Sequence, residues 1–154
     1  MIQWLWQGEG VWCLDPVNSG ELIAELRPHA RDYEFEVAWV GEGWRPLVRE
    51  CHRRLSATFP EYELQAIEQS GGVLAFRAVP LQPVIGEVRW SPQEADELDA
   101  IVEEFRARSA TVCEWCGAGA RLRGWRTIEL TLCDGCDARF PDPPRPALSG
   151  ITCR

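Results

Sequence analysis

A chain of 154 residues, 45% of them apolar and 26% charged, has the composition of a soluble globular protein. It is long enough for one compact domain, or for one domain with a small appendage. No apolar run approaches the roughly 18 residues needed to cross a bilayer. The opening MIQWLWQGEG has neither the basic region nor the small-residue cleavage site of a signal peptide. The expectation is therefore a cytoplasmic protein with no membrane segment. The net charge is −8, unevenly spread: residues 1–108 carry 10 Arg against 19 acids, net −9, and residues 109–154 carry 6 Arg against 5 acids, net +1. An acidic body opposes broad affinity for a phosphate backbone and suits a basic protein partner, although the same charge also keeps a protein in solution. All 16 basic residues are arginine, as a GC-rich coding bias would produce.

In chain order, Ile2, Trp4 and Trp6 alternate with polar or solvent-facing positions and predict a strand, with a hairpin through Gly8-Glu9-Gly10 to a second strand at 11–14. Asn18 or Ser19 is placed to cap a short helix running to Leu26, stopped by Pro28. Tyr33, Phe35, Val37 and Trp39 predict a strand with one buried face. Pro46 suits the first turn of a helix whose apolar stripe is Leu47, Val48, Cys51 and Leu55, closed by Pro60. Residues 62–68 and 73–79 read as two strands joined through Ser70-Gly71-Gly72. A further short strand is predicted over 84–90. Ser91-Pro92-Gln93-Glu94 is a reciprocal capping box opening a helix to about Arg108.

The cysteines carry the most specific signal. Cys113 and Cys116, then Cys133 and Cys136, each enclose two residues, and 16 residues separate the pairs, which is zinc-ribbon spacing. Four thiolates at about 2.3 Å complete a tetrahedron and leave no open position, so the expected zinc site is structural and not catalytic. Disulfides, a redox pair and an iron–sulfur cluster are the competing uses of such cysteines. Between the knuckles, 125–132 has strand character. Four thiolates and one Zn²⁺ carry a net of about −2. Arg121, Arg123 and Arg126 either offset that charge or contact phosphate.

Cys51 is the candidate nucleophile, but it sits on an apolar stripe, His52 points about 100° away on a helix, and His29 is the only other histidine. A buried inert thiol is the better reading. Cys13 and Cys153 look unpaired. Eight tryptophans suggest a core with one or two surface anchors, and Trp44 and Trp115, both on turns, are the candidates.

The segment Gly41-Glu42-Gly43-Trp44-Arg45-Pro46-Leu47-Val48 followed by Cys51 resembles a recurrent opening in small bacterial and phage proteins of unassigned role. Those proteins continue with a Gly-Gly turn between strands, a helix, and a CxxCG…TLCD ending. The matching parts here are Glu68 to Phe76, the helix from Ser91, Cys113 to Gly117, and Thr131-Leu132-Cys133-Asp134. The likeness covers about residues 41–137 and departs at Val73-Leu74-Ala75-Phe76, which lacks the basic and aromatic residues usual after the turn. It implies the fold and the zinc site and no particular activity.

The expected fold is α+β: a mostly antiparallel sheet with two or three helices and a C-terminal zinc ribbon docked through the helix at 91–108. Residues 1–110 form the acidic body, 111–140 the ribbon, and 141–154 a proline-rich flexible tail. The expected function is a non-enzymatic protein-binding module, in concrete form an immunity or inhibitor protein (an antitoxin) masking a basic toxin or nuclease. The alternative is a nucleic-acid-associated regulator using the ribbon arginines, which the acidic body disfavours.

Overall fold

A computed structural model of the chain describes residues 12–140 apart from Tyr33, Pro83, Ile85 and Gly86. The hairpin expected before residue 12, the proline-rich tail and Cys153 lie outside the described residues. The fold is α+β, with four helices and two small antiparallel sheets. Helix α1 spans Pro16–Leu26, α2 Arg45–Thr58, α3 Pro92–Ser109 and α4 Asp134–Arg139. Strands β1 (Glu63–Ser70) and β2 (Val73–Val79) pair in one sheet, and β3 (Arg121–Arg123) and β4 (Leu130–Leu132) in the other.

Local chemistry sets the ends of these elements. Asp15 caps α1 by accepting from the Val17 and Asn18 amides, while the Asn18 side chain accepts from the Asp15 amide. The cap therefore lies ahead of both expected positions, Asn18 and Ser19, and Asn18 is its reciprocal half. Ser91 and Glu94 make the same box at the start of α3, as the sequence predicts. At the β1–β2 turn, Gly71 and Gly72 take φ of 60° and 81°, a region that costs other L-residues free energy. Pro46 sits in the first turn of α2, which starts at Arg45.

Two predicted strands of the body are shorter than expected. Among the described residues of 33–39 only Ala38 and Trp39 make ladder contacts, Ala38 with Leu14 and Trp39 with Glu68. Phe35 and Val37 are half-buried between the exposed Glu34 and Glu36, with Phe35 packed on the core as the alternation predicts, but the pattern switches at Ala38 and Val40, which are buried while Trp39 is only half-buried. The paired segment lies beside β1, where Trp39 donates to Ile67 at 2.9 Å and accepts from Gln69 at 3.0 Å. That edge pairing, and not side-chain alternation upstream, fixes the register. Over 84–90 the described residues show one bridge, between Val84 and Glu87.

The main core lies between the three long helices and the β1–β2 hairpin. It includes Leu22, Leu26, Trp44, Leu55, Tyr62, Leu74 and Phe105. Exposed ion pairs of Arg54 with Glu104 and Arg108 with Glu50 link α2 to α3 across its rim. At their exposure they contribute little. No helix among the described residues is long and apolar enough to cross a membrane.

One polar cluster lies inside this core. His52 is buried on α2, its Nδ1 2.6 Å from the Tyr62 hydroxyl and its Nε2 4.0 Å from Glu25. His29 packs against both rings and meets the Tyr62 carbonyl at 3.0 Å. Burial, with help from His29 and Arg53 and against Glu25, pulls His52 down to about 4. Its folded value lies below its unfolded one, so the stability it contributes is present above about pH 6.5 and is lost as pH falls towards 4. The H52Q variant is expected to lose less melting temperature than the parent between pH 7 and pH 5, read by thermal melts. Equal losses in the two proteins would contradict this.

Candidate metal centre

The ribbon brings the four predicted cysteines together. The sulfurs of Cys113, Cys116, Cys133 and Cys136 all lie within 4.8 Å of one another, with Cys116 and Cys133 3.6 Å apart. Four sulfurs bonded to one ion at about 2.3 Å stand about 3.8 Å apart, so the set fits a tetrahedral centre after small adjustments. All four donors are sulfur and none forms a disulfide. Cys113 and Cys136 are buried and Cys116 exposed, so the site closes from below and faces solvent on one side.

Each knuckle is built by backbone hydrogen bonds. In the first, the Cys113 amide donates to Ala118 and the Gly117 amide returns to Cys113. In the second, Cys133 caps α4, and the Cys136 amide points at the Cys133 sulfur at 3.4 Å. That N–H draws the Cys133 thiol down to about 7, and the neighbouring thiols reinforce it. Burial instead holds Cys136 well above the ordinary thiol range. A bound cation would favour the thiolate at both positions.

Glu114, between the first two cysteines, was not singled out by sequence reasoning. Its side chain is fully buried, where a knuckle residue would ordinarily face water. Its backbone amide donates to the Thr131 carbonyl, and its Oε2 accepts from the Thr131 amide at 2.6 Å. Burial pushes its carboxyl up to about 8, against the opposing pull of the Thr131 amide and Gln69. Burial thus favours its neutral acid form, and the side chain joins the first knuckle to β4.

The body supplies a seat for this knuckle, and the seat is the GEGW segment. The Gly43 amide donates to the Glu114 carbonyl at 2.9 Å, and Trp44 Nε1 to the Val112 carbonyl at 2.8 Å. A Cβ on Gly43 would overlap the Cys113 carbonyl oxygen and lie 2.7 Å from the Gly117 nitrogen, and one on Gly41 would overlap the Glu114 carbonyl. A second contact lies at the β1–β2 turn. Thr131 Oγ1 donates to the Gly72 carbonyl at 2.6 Å, and a Cβ on Gly72 would overlap Leu122. The ribbon is thus seated on two glycine turns of the body, as well as continuing from α3.

The remaining predicted site residues are distributed unevenly. Trp44 is completely buried, because its ring fills the main core, and is no surface anchor. Trp115 is half-buried in the ribbon's own small core, stacked on Trp12 at 5.5 Å and edge-on to Phe140 at 4.7 Å. Arg123 and Arg126 are buried and not at a surface. Arg123 donates to the Leu132 carbonyl and to Asp134, and Arg126 to Asp137 and the Phe140 carbonyl. They tie the hairpin to α4. Arg121 is exposed and lies 3.7 Å from Asp134. Drawing Arg126 inward bends the chain after Arg123, so the predicted strand over 125–132 is reduced to Leu130–Leu132. Trp125, left on that bend, is 62% exposed. Cys51 is buried in the core and its thiol is pushed up to about 12 by burial, as for an inert thiol. Cys13, expected to be unpaired, is disulfide-bonded.

The chain matches no protein-family model, and neither a curated protein nor a solved structure is detectably similar to it.

Close approach at the glycine seat makes a sharp prediction. G43A is expected to destabilise the protein by about 1–3 kcal/mol, the range for overpacking a tight contact. G119A, where a Cβ meets nothing within 4 Å, is expected to be close to neutral. Denaturant unfolding of the two variants measures the contrast, and equal midpoints would contradict the seat.

Proposed function

We propose that this chain is a non-enzymatic protein-binding module whose ribbon is held by one structural Zn²⁺ on Cys113, Cys116, Cys133 and Cys136. We propose further that it masks a basic partner, in the manner of an immunity or inhibitor protein acting on a toxin or nuclease. The observation that carries the reading is the outer face of α3. Asp96, Glu97 and Asp99 are exposed there and make no ion pair among the described residues, and Glu103, one turn on from Asp99, extends the acidic strip. Acids in the first turns also favour the helix dipole, so the strip costs the helix little. Facing solvent, it would attract a basic surface over several ångströms and speed encounter.

Zinc is the cation that best suits four sulfur donors in a closed tetrahedron, and such a site organises structure and leaves no open coordination position. Cys51, buried and held protonated, offers no nucleophile, which favours a binding role over catalysis. With Trp44 in the core, the exposed Trp125 and its neighbour Leu122, 48% exposed, are the better aromatic and apolar anchors. Arg123 and Arg126 are engaged inside the ribbon, so a nucleic-acid contact through the three arginines would have Arg121 alone at the surface. On the same footing, we propose that residues 41–137 are the unit shared with the small bacterial and phage proteins they resemble, since the glycine seat and the knuckle resting on it form one structure.

Binding to proteins encoded beside this gene tests the reading, with association and dissociation rates followed separately. The triple variant D96N/E97Q/D99N is expected to slow association by about tenfold at low salt and to leave dissociation nearly unchanged, because rim charges act mainly on encounter. If no neighbouring gene product binds the parent protein at low salt, the proposal is wrong.

A further inference from the structure

A cavity of about 740 Å³ lies between α2 and the first knuckle. Its volume is in the range of small-molecule sites. Arg45, Arg49 and Arg53 line it, spaced four residues apart and therefore stacked along one face of the helix. Pro46 and Val112 add an apolar wall.

The three guanidinium groups differ in how they are satisfied. Arg45 donates to Ser19 Oγ at 2.8 Å and lies 3.5 Å from Glu42. Arg53 pairs with Glu25 at 3.3 Å. Glu50, the other carboxylate on the cavity wall, is turned to Arg108 at 2.9 Å. Arg49 has no carboxylate within ion-pair distance among the described residues, and its Nε is buried with no hydrogen-bond partner. An unmet buried donor costs about 1–3 kcal/mol, and a guanidinium cannot relieve it by losing its proton. Two oxygens of one planar or tetrahedral anion would satisfy the Nε and a terminal nitrogen together.

We propose that this cavity binds a small organic molecule bearing an oxyanion, a phosphate or a carboxylate, held by Arg49 with Arg45 and Arg53 beside it. The volume exceeds that of an inorganic ion, and the apolar wall accommodates the remainder of the ligand. The site is separate from the acidic strip on α3 and does not depend on the protein partner proposed above.

Titration of the full chain, metal-loaded as purified, tests this by following the arginine Nε–Hε resonances. The probes are glycerol phosphate, citrate and, at matched ionic strength, sodium chloride. Saturable movement of the Arg49 resonance, with Kd on the order of 1 mM or tighter, is expected for glycerol phosphate or citrate, and the tighter of the two identifies the anion class. R49Q is expected to weaken binding by at least about tenfold as read from the other shifted resonances. Should R49Q fail to fold, R49K, which keeps the charge and loses the fork, is expected to weaken it by a smaller factor. Non-saturating shifts that match sodium chloride, or binding unchanged in both variants, would overturn the proposal.

Discussion

Four sulfurs gathered within 4.8 Å in a segment with only a small apolar core set the main constraint on this fold. As thiolates they repel one another, and as thiols they contribute little packing. A cation reverses the sign of that interaction, and the free energy of its binding becomes free energy of folding. The surrounding structure is arranged to suit it. Backbone amides shape both knuckles, and buried Arg123 and Arg126 hold α4 against the hairpin.

The body contributes more than an attachment point. Gly41 and Gly43 let the first knuckle approach to backbone contact, and Trp44 reaches from the main core to the Val112 carbonyl. Gly72 and Thr131 make a second junction on the other side. Glu114 connects the two junctions, because its carbonyl accepts from Gly43 while its amide and carboxyl meet Thr131. A few short backbone contacts therefore join the cysteine cluster to the start of α2 and to the β1–β2 hairpin.

Much of this was legible in the sequence. The capping box at Ser91, the glycine turn at 71–72, the stripe of α2 and the CxxC pairs are local signals whose physics is complete within a few residues, and each is found where it was read. What was not legible depends on distant partners. Trp44 follows two glycines and reads as a turn residue, yet it is buried because those glycines lie under the knuckle. Arg123 and Arg126 read as surface charges, and only the position of Asp134 and Asp137 on α4 draws them inside. The alternation over 33–39 holds through Phe35 and Val37 and fails from Ala38 to Val40, where pairing with the backbone of β1 fixes the register. A glutamate inside a CxxC pair looks solvated until Thr131 is brought opposite it.

The division of charge bears on function in the same way. Arg123 and Arg126 of the ribbon are used internally, while α3 exposes carboxylates that have no ion-pair partner among the described residues. The chain thus presents acidic groups beside four cysteines that could hold a metal ion, and we propose that the ion, once bound, stiffens the scaffold. X-ray absorption at the zinc edge of freshly purified protein tests it most directly. The account predicts a single shell of four sulfur scatterers at about 2.3 Å. Absence of zinc, or a shell dominated by oxygen or nitrogen, would contradict it.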